Sequence, residues 1–236
     1  HIFLSGDHQD EALVVHSAPN DPFTWTVAAG AGQLTVGTDV VNIKPFRDQL
    51  FVFGPNAIKK VTADVADGTF VIENVTSNVG CIARDSVVEI GGDLMFLAPD
   101  GLRPVAGTSR IGDVELGTIS KSIQGALVDI IENFDMSTVN AVVVRRKSQV
   151  RFFVGDDNDA FAADSLGIIG GLTDASGSIE WEFGTLLGIR ASCCTSGYVG
   201  TEEFVLHGDY DGKVYRQEQG NDFNGGDIVS VYATPY

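Results

Sequence analysis

Basic residues are scarce in this chain: 15 Lys and Arg stand against 32 Asp and Glu, for a net charge of −17 over 236 residues. Lys and Arg are what displace counterions from a nucleic-acid backbone, so this balance disfavours a grip on DNA phosphates. It equally disfavours docking on anionic membranes. It suits a solvated scaffold, or a passage along which DNA slides without sticking. Cysteine is also rare. Cys81, Cys193 and Cys194 form no disulfide framework, and adjacent cysteines seldom bridge each other. Assembly in a reducing cytoplasm fits that usage. No run of 18 apolar residues occurs, so no transmembrane helix is expected, and no signal-peptide pattern is visible. The four His residues (His1, His8, His16, His207) lack the spacing of a zinc site. No Gly-rich loop ends in Gly-Lys-Ser/Thr, which leaves nucleotide binding without support.

What the chain does have is apolar residues (44%), 28 Gly, and a repeat. Four times an apolar run meets a tight turn and a second short apolar run follows. The runs are anchored on Leu50, Leu94, Val150 and Phe204, at spacings of 44, 56 and 54 residues. A strand-built repeat of that length is the signature of propeller blades. The expected fold is therefore all-β, a β-propeller of about four to five four-stranded antiparallel blades with one short helix between blades.

The boundaries follow the turns. One domain spans 1–236, with a partial blade at 1–36, blades at 40–76, 86–119, 140–184 and 187–236, and a helical insertion at 120–134. The partial blade has expected strands Ile2–Leu4, Ala12–His16, Thr24–Val27 and Gln33–Val36. The clearest blade has Val40–Phe46, Gln49–Phe53, Ala57–Thr62 and Thr69–Thr76, broken at Arg47-Asp48, Gly54-Pro55-Asn56 and Asp67-Gly68. The next turns at Gly91-Gly92 and Pro99-Asp100-Gly101. The third full blade runs through Asn140–Val144, Gln149–Val154, Ser165–Leu172 and Ile179–Phe183, and the last through Leu187–Tyr198, Glu203–His207, Lys213–Gln217 and Asp227–Ala233. Ile123, Ala126, Leu127, Ile130, Ile131 and Phe134 recur at helical spacing, with Ser120 or Ser122 as N-cap. This helix is expected over a sheet edge or rim, with a subunit contact as the sharper alternative. The abrupt apolar run after His1 reads as a fragment of a longer chain.

Candidate chemistry is sparse. Asp209, Asp211 and Gly212 form an Asp-x-Asp-Gly turn, and Asp156, Asp157 and Asp159 occupy the equivalent turn of the third copy. Alternating carboxylates in a Gly-rich loop can hold calcium, which makes Asp209 and Asp211 weak metal candidates, but the further ligands of a full loop are missing. Asp and Gly are also simply good hairpin residues. Glu180 and Glu182 share one strand face, with Trp181 and Phe183 on the other; two carboxylates are the minimum for glycoside hydrolysis, but neighbours on one face point in parallel. Solvated charges opposite a buried aromatic pair are the plainer account. His207 closes an apolar strand as a rim residue. Cys193 or Cys194 as a nucleophile would need a base that spacing does not supply, and a buried strand Cys is the usual case. Arg145-Arg146-Lys147 is expected in a strand-to-strand turn facing water, and Trp25 and Trp181 in the core.

The last stretch runs His207-Gly-Asp-Tyr-Asp-Gly-Lys-Val-Tyr and ends at Tyr236 in Val-Tyr-Ala-Thr-Pro-Tyr. With Gly80–Arg103 and Phe46–Val61, it resembles the β-propeller of bacteriophage tail proteins, the nozzle, tail-tubular or stabilisation group of short-tailed phages. The motif residues that carry the resemblance are Gly208, Asp209, Asp211, Gly212, Tyr215, Phe223 and Tyr236. The resemblance implies a structural virion tail component, assembled in the host cytoplasm. It implies a sixfold homo-oligomeric ring meeting an adaptor protein, with double-stranded DNA only as passing cargo, no cofactor and no catalytic residue. Alternatives are a phage-borne carbohydrate-binding or depolymerase propeller using Glu180, Glu182, Asp209 and Asp211, and a generic protein-interaction propeller.

Overall fold

The computed structural model describes residues 1–63, 69–105, 119–155, 166–175, 178–222 and 225–228. Within them the chain folds into five antiparallel sheets, each a meander whose strands pair in chain order. The first holds β1 (Phe3–Asp7), β2 (Asp10–His16) and β3 (Gly32–Thr35). The second holds β4 (Asn42–Phe46), β5 (Gln49–Phe53), β6 (Ile58–Ala63) and β7 (Phe70–Thr76). The third holds β8 (Val88–Ile90), β9 (Asp93–Ala98) and β10 (Gly101–Pro104). The fourth holds β11 (Asn140–Val144), β12 (Gln149–Phe153), β13 (Leu166–Ala175) and β14 (Ser178–Leu187), and the fifth β15 (Cys193–Val199), β16 (Glu202–Gly208) and β17 (Val214–Arg216). The all-β class expected from the repeat is what the chain adopts.

Each sheet buries an apolar face against the next. Val14 and Val36 meet Leu50, Val52 and Val61 between the first and second sheets. Phe51, Phe53 and Ile58 meet Leu94 and Phe96 between the second and third. Met95, Leu97 and Leu102 meet Val143, Val150 and Phe152 between the third and fourth, and Val142, Val144 and Phe153 meet Val205 between the fourth and fifth. Polar tethers run alongside. The Asn42 side-chain amide donates to the carbonyl of Arg84, just ahead of β8. The Asn140 amide donates to the carbonyl of Ala191, just ahead of β15, at 2.9 Å. An asparagine at the start of one sheet's first strand thus holds the chain entering the next sheet.

These tethers fix which strands correspond. β4, β8, β11 and β15 are the first strands of their sheets, and β8, β11 and β15 lie side by side. The first sheet is different. Its hairpin Ile2-Phe-Leu-Ser-Gly matches Leu50-Phe-Val-Phe-Gly of β5 and its turn, and β3 passes directly into the linker to β4. Val40 N–H donates to the carbonyl of Glu11 at the start of β2, so β2 and β4 begin at the same end. β1, β2 and β3 therefore take the places of β5, β6 and β7, and the counterpart of β4 is absent among the described residues.

Several expectations change. Thr24–Val27 is no strand: the Asp21 carboxylate accepts Phe23 N–H at 2.9 Å and the Thr24 hydroxyl at 2.7 Å, and a 3-10 turn follows at Val27–Ala29. That turn holds its apolar side chains outward, with Phe23 91% and Val27 81% exposed. Trp25 is 40% exposed and lies outside the core. Leu187–Tyr198 is not one strand, because Leu187 ends β14 and Gly188 turns the chain at φ 79° before β15. β13 and β14 instead extend to ten residues each. The helix α1 (Gln124–Asn133) follows a 3-10 turn at Lys121–Ile123 and buries Leu127 and Ile130 between the third and fourth sheets. Neither serine caps it by a side-chain bond; the Ser120 hydroxyl accepts Leu102 N–H at 3.1 Å. The turn Asp67-Gly68, the aspartates Asp156, Asp157 and Asp159, and Phe223 and Tyr236 lie outside the described residues.

Candidate functional site

The motif turn sits between β16 and β17. Asp209 organises it, because its Oδ1 accepts the N–H groups of Asp211 and Lys213, each at 2.9 Å. Gly212 takes φ 77°, the left-handed conformation that a glycine adopts without strain. The bond from Lys213 leads the influences that hold the Asp209 carboxyl below the usual range. One oxygen of that carboxylate is thus spent on the backbone. Among the described residues no cluster of three or more His, Cys, Asp or Glu could hold a metal ion.

The residues flanking Asp209 press the turn onto its neighbours. Tyr210 lies against Gly155, where a β-carbon would fall 1.9 Å from the tyrosine hydroxyl oxygen. The Arg190 guanidinium covers the Tyr210 ring, 5.6 Å from its centre. Ser192 N–H donates to the Gly208 carbonyl at 2.8 Å. Tyr215 stacks on His207 at 5.3 Å, and His207 stacks in turn on Phe153 of the fourth sheet at 6.4 Å. Burial pushes the His207 pKa down against the opposing pull of the Asp209 carboxylate, which favours the neutral ring.

Beside this stack lies a charged clamp between the fourth and fifth sheets. The basic run forms a 3-10 turn, Arg145–Lys147, joining β11 to β12. Its residues are exposed, as expected of such a turn, but its backbone is tied to the fifth sheet. The Glu203 carboxylate of β16 accepts the N–H groups of Arg145 at 2.7 Å and Arg146 at 2.9 Å, capping the turn from another sheet. Glu218 accepts from Lys147 Nζ and Arg151 Nη2. Burial alone would raise the Glu218 pKa, but those two bonds and charges outweigh it and hold it below its ordinary value. Arg151 is buried, and its Nη1 also donates to Gln217 at 2.8 Å. Glu203, Glu218 and Arg151 were not singled out from the sequence. The available signal was Arg151 itself: a charge inside the apolar run Val150-Arg-Phe-Phe requires a partner somewhere.

The other candidates separate. Glu180 and Glu182 are exposed on one face of β14, with Trp181 and Phe183 stacked at 5.6 Å on the other. They belong to the fourth sheet, whereas Asp209 and Asp211 belong to the turn of the fifth. Cys193 is exposed rather than buried, while Cys194 is half-buried and burial, with Cys193 and Asp85 nearby, pushes its thiol up to about 12. Such a thiol is protonated at neutral pH and is a poor nucleophile.

No protein-family model and no curated protein matches this chain. Among solved structures, it is similar to the hemopexin-fold protein CP4 from cow pea, at 7% identity and a TM-score of 0.30, covering 77% of this chain and 92% of that one. A likeness at that score decides neither fold nor function.

Proposed function

We propose that this chain is a structural component of a phage virion tail, its five meanders serving as blades of a β-propeller in a nozzle-like ring through which DNA is retained and ejected. The carrying observation is how the motif turn and its surroundings are used. Asp209 caps its own turn, Glu203 caps the Arg145–Lys147 turn of the neighbouring sheet, and Glu218 bridges Lys147 and Arg151. Carboxylates spent on tying sheet to sheet serve a scaffold. Of the motif residues named for the C-terminal stretch, the described ones, Gly208 to Tyr215, lie in this same joint. The net charge of −17 supports a lumen that passes DNA without binding it.

On this reading the partners are further copies of the chain in a sixfold ring and an adaptor protein above it, in a virion assembled in the host cytoplasm. Cryo-electron microscopy of the parent particle tests it. Density for these five sheets repeated around the tail axis supports the proposal. Their absence from the particle, with the protein found only in infected-cell lysate, sinks it.

A further inference from the structure

The connection from β2 to β3 carries an apolar tip. Phe23 is 91% exposed there, more than any other large apolar side chain described, with Val27 and Trp25 beside it in sequence and also exposed. None of the three packs into the apolar clusters between the sheets. Side chains so exposed stand out from the surface, and apolar groups gathered in this way mark an interaction site.

The loop that presents them is tied to itself. The Asp21 carboxylate at its base accepts Phe23 N–H on one oxygen and the Thr24 hydroxyl on the other. The Thr24 carbonyl accepts Ala18 N–H at 2.8 Å, the Thr26 carbonyl accepts Ala29 N–H at 3.0 Å and Ala31 N–H at 3.2 Å, and the Val27 carbonyl accepts Gly30 N–H at 2.9 Å. These bonds lower the cost of taking the tip out of water, because a polar group left unpaired there is expensive.

Charge distinguishes the tip from the rest of the molecule. Residues 22–38 include no Asp, Glu, Lys, Arg or His, the longest such stretch in a chain that is 20% charged. A specific protein partner is oriented by charged groups, and this segment offers none. Neutral lipid headgroups need none. Phe and Trp suit the boundary between headgroups and acyl chains, where aromatic rings concentrate.

We propose that residues 22–30 form a lipid-docking loop, which lays Phe23, Trp25 and Val27 into the interface of a zwitterionic bilayer. Asp21 stays at the headgroup level with both oxygens engaged. The net charge of −17 keeps the chain off anionic bilayers, so the loop selects neutral surfaces. This goes beyond the tail reading and does not rest on it.

The test uses the 236-residue chain with Trp181→Phe, so that emission reports Trp25 alone, and vesicles of phosphatidylcholine. Interfacial anchoring is marginal even for one myristoyl chain, at about 10⁴ M⁻¹, so lipid is raised to about 10 mM. Saturable co-sedimentation is expected, with a blue shift of Trp25 emission and quenching by brominated lipid. Vesicles of equal parts phosphatidylcholine and phosphatidylserine should bind more weakly at low salt. Phe23→Ser should weaken binding at least about tenfold with its unfolding midpoint unchanged, and Val27→Ser by a smaller factor. The proposal falls if phosphatidylcholine captures nothing, if both serine variants bind as the parent does, or if the mixed vesicles bind more tightly. It falls equally if Trp25 emission shifts with protein concentration in the absence of lipid, since a second copy then covers the loop.

Discussion

A β-carbon on Gly80 would lie 2.1 Å from the carbonyl oxygen of Gly54. That same oxygen accepts the N–H of Cys81 at 2.9 Å, so the chain leaving the second sheet is pressed onto the β5–β6 turn. The obstacle is backbone on both sides, with Pro55 C at 2.4 Å and Asn56 N at 2.5 Å, and cannot swing away. Gly80→Ala should therefore destabilise the fold by about 1–3 kcal/mol or more, as overpacking does. Gly197 on β15 has open space around its α-carbon and ordinary φ. Gly197→Ala should leave stability unchanged within about 0.5 kcal/mol. Urea titration of both variants separates a close backbone approach from a general intolerance of side chains.

Glu203 gives a second test. It is 9% exposed and accepts from two backbone donors of the Arg145–Lys147 turn in the neighbouring sheet. Glu203→Ala leaves those N–H groups orphaned at a sheet junction and should cost about 1–3 kcal/mol. Glu203→Gln keeps one acceptor oxygen and should cost less. Equal losses for the two variants, measured as unfolding midpoints, would mean that packing rather than capping holds the junction.

Acid should loosen the same joint in two stages. His207 has a folded pKa below the ordinary imidazole value, so below about 6.5 the unfolded chain binds more protons than the folded one and stability falls with pH. Glu218 has a folded pKa below the ordinary carboxylate value. Its contribution is present above about 4.3 and is lost as pH falls through the folded pKa. Thermal midpoints from pH 8 to pH 3 should thus decline first near neutrality and again below about pH 4.3. His207→Phe should flatten the first decline, and Glu218→Gln the second. A Glu218→Gln profile that overlays the parent would remove the clamp as the acid-sensitive element.

The three thiols should also sort by position. Cys81 is buried, its Sγ 3.1 Å from the carbonyl of Ala83, and burial raises its pKa; Cys194 is raised to about 12. Only Cys193 is exposed. A thiol-disulfide reagent at pH 8 should label one cysteine in the native protein and all three after denaturation. Rapid native labelling of Cys194 would contradict the placement of β15.

Much of the second, third and fourth sheets was legible in the sequence because turn chemistry there is local. Arg47-Asp48 and Gly91-Gly92 carry the positive φ values that end a strand, and apolar runs flank them directly. Where the reading failed, composition and geometry disagreed. Thr24–Val27 has the residue types of a strand, but Asp21 draws its backbone into a turn and Pro22 precedes it. Leu187–Tyr198 hides a glycine turn inside an apolar stretch. The joint of the motif site was legible only in part. The Asp209 turn is written within five residues, but Glu203 reaches Arg145 across 58 positions and Glu218 reaches Arg151 across 67. No local pattern announces a partner at that range.

Each apolar cluster joins one sheet only to the sheets beside it in the chain. Stability in such a row is close to a sum over neighbouring pairs, and folding can begin at any pair and spread. The middle three sheets have a neighbour on both sides, whereas the first and fifth have one among the described residues. Opening should start at those outer sheets and move inward, so the molecule yields from its flanks while Phe53 and Phe96, buried between the second and third sheets, stay closed longest.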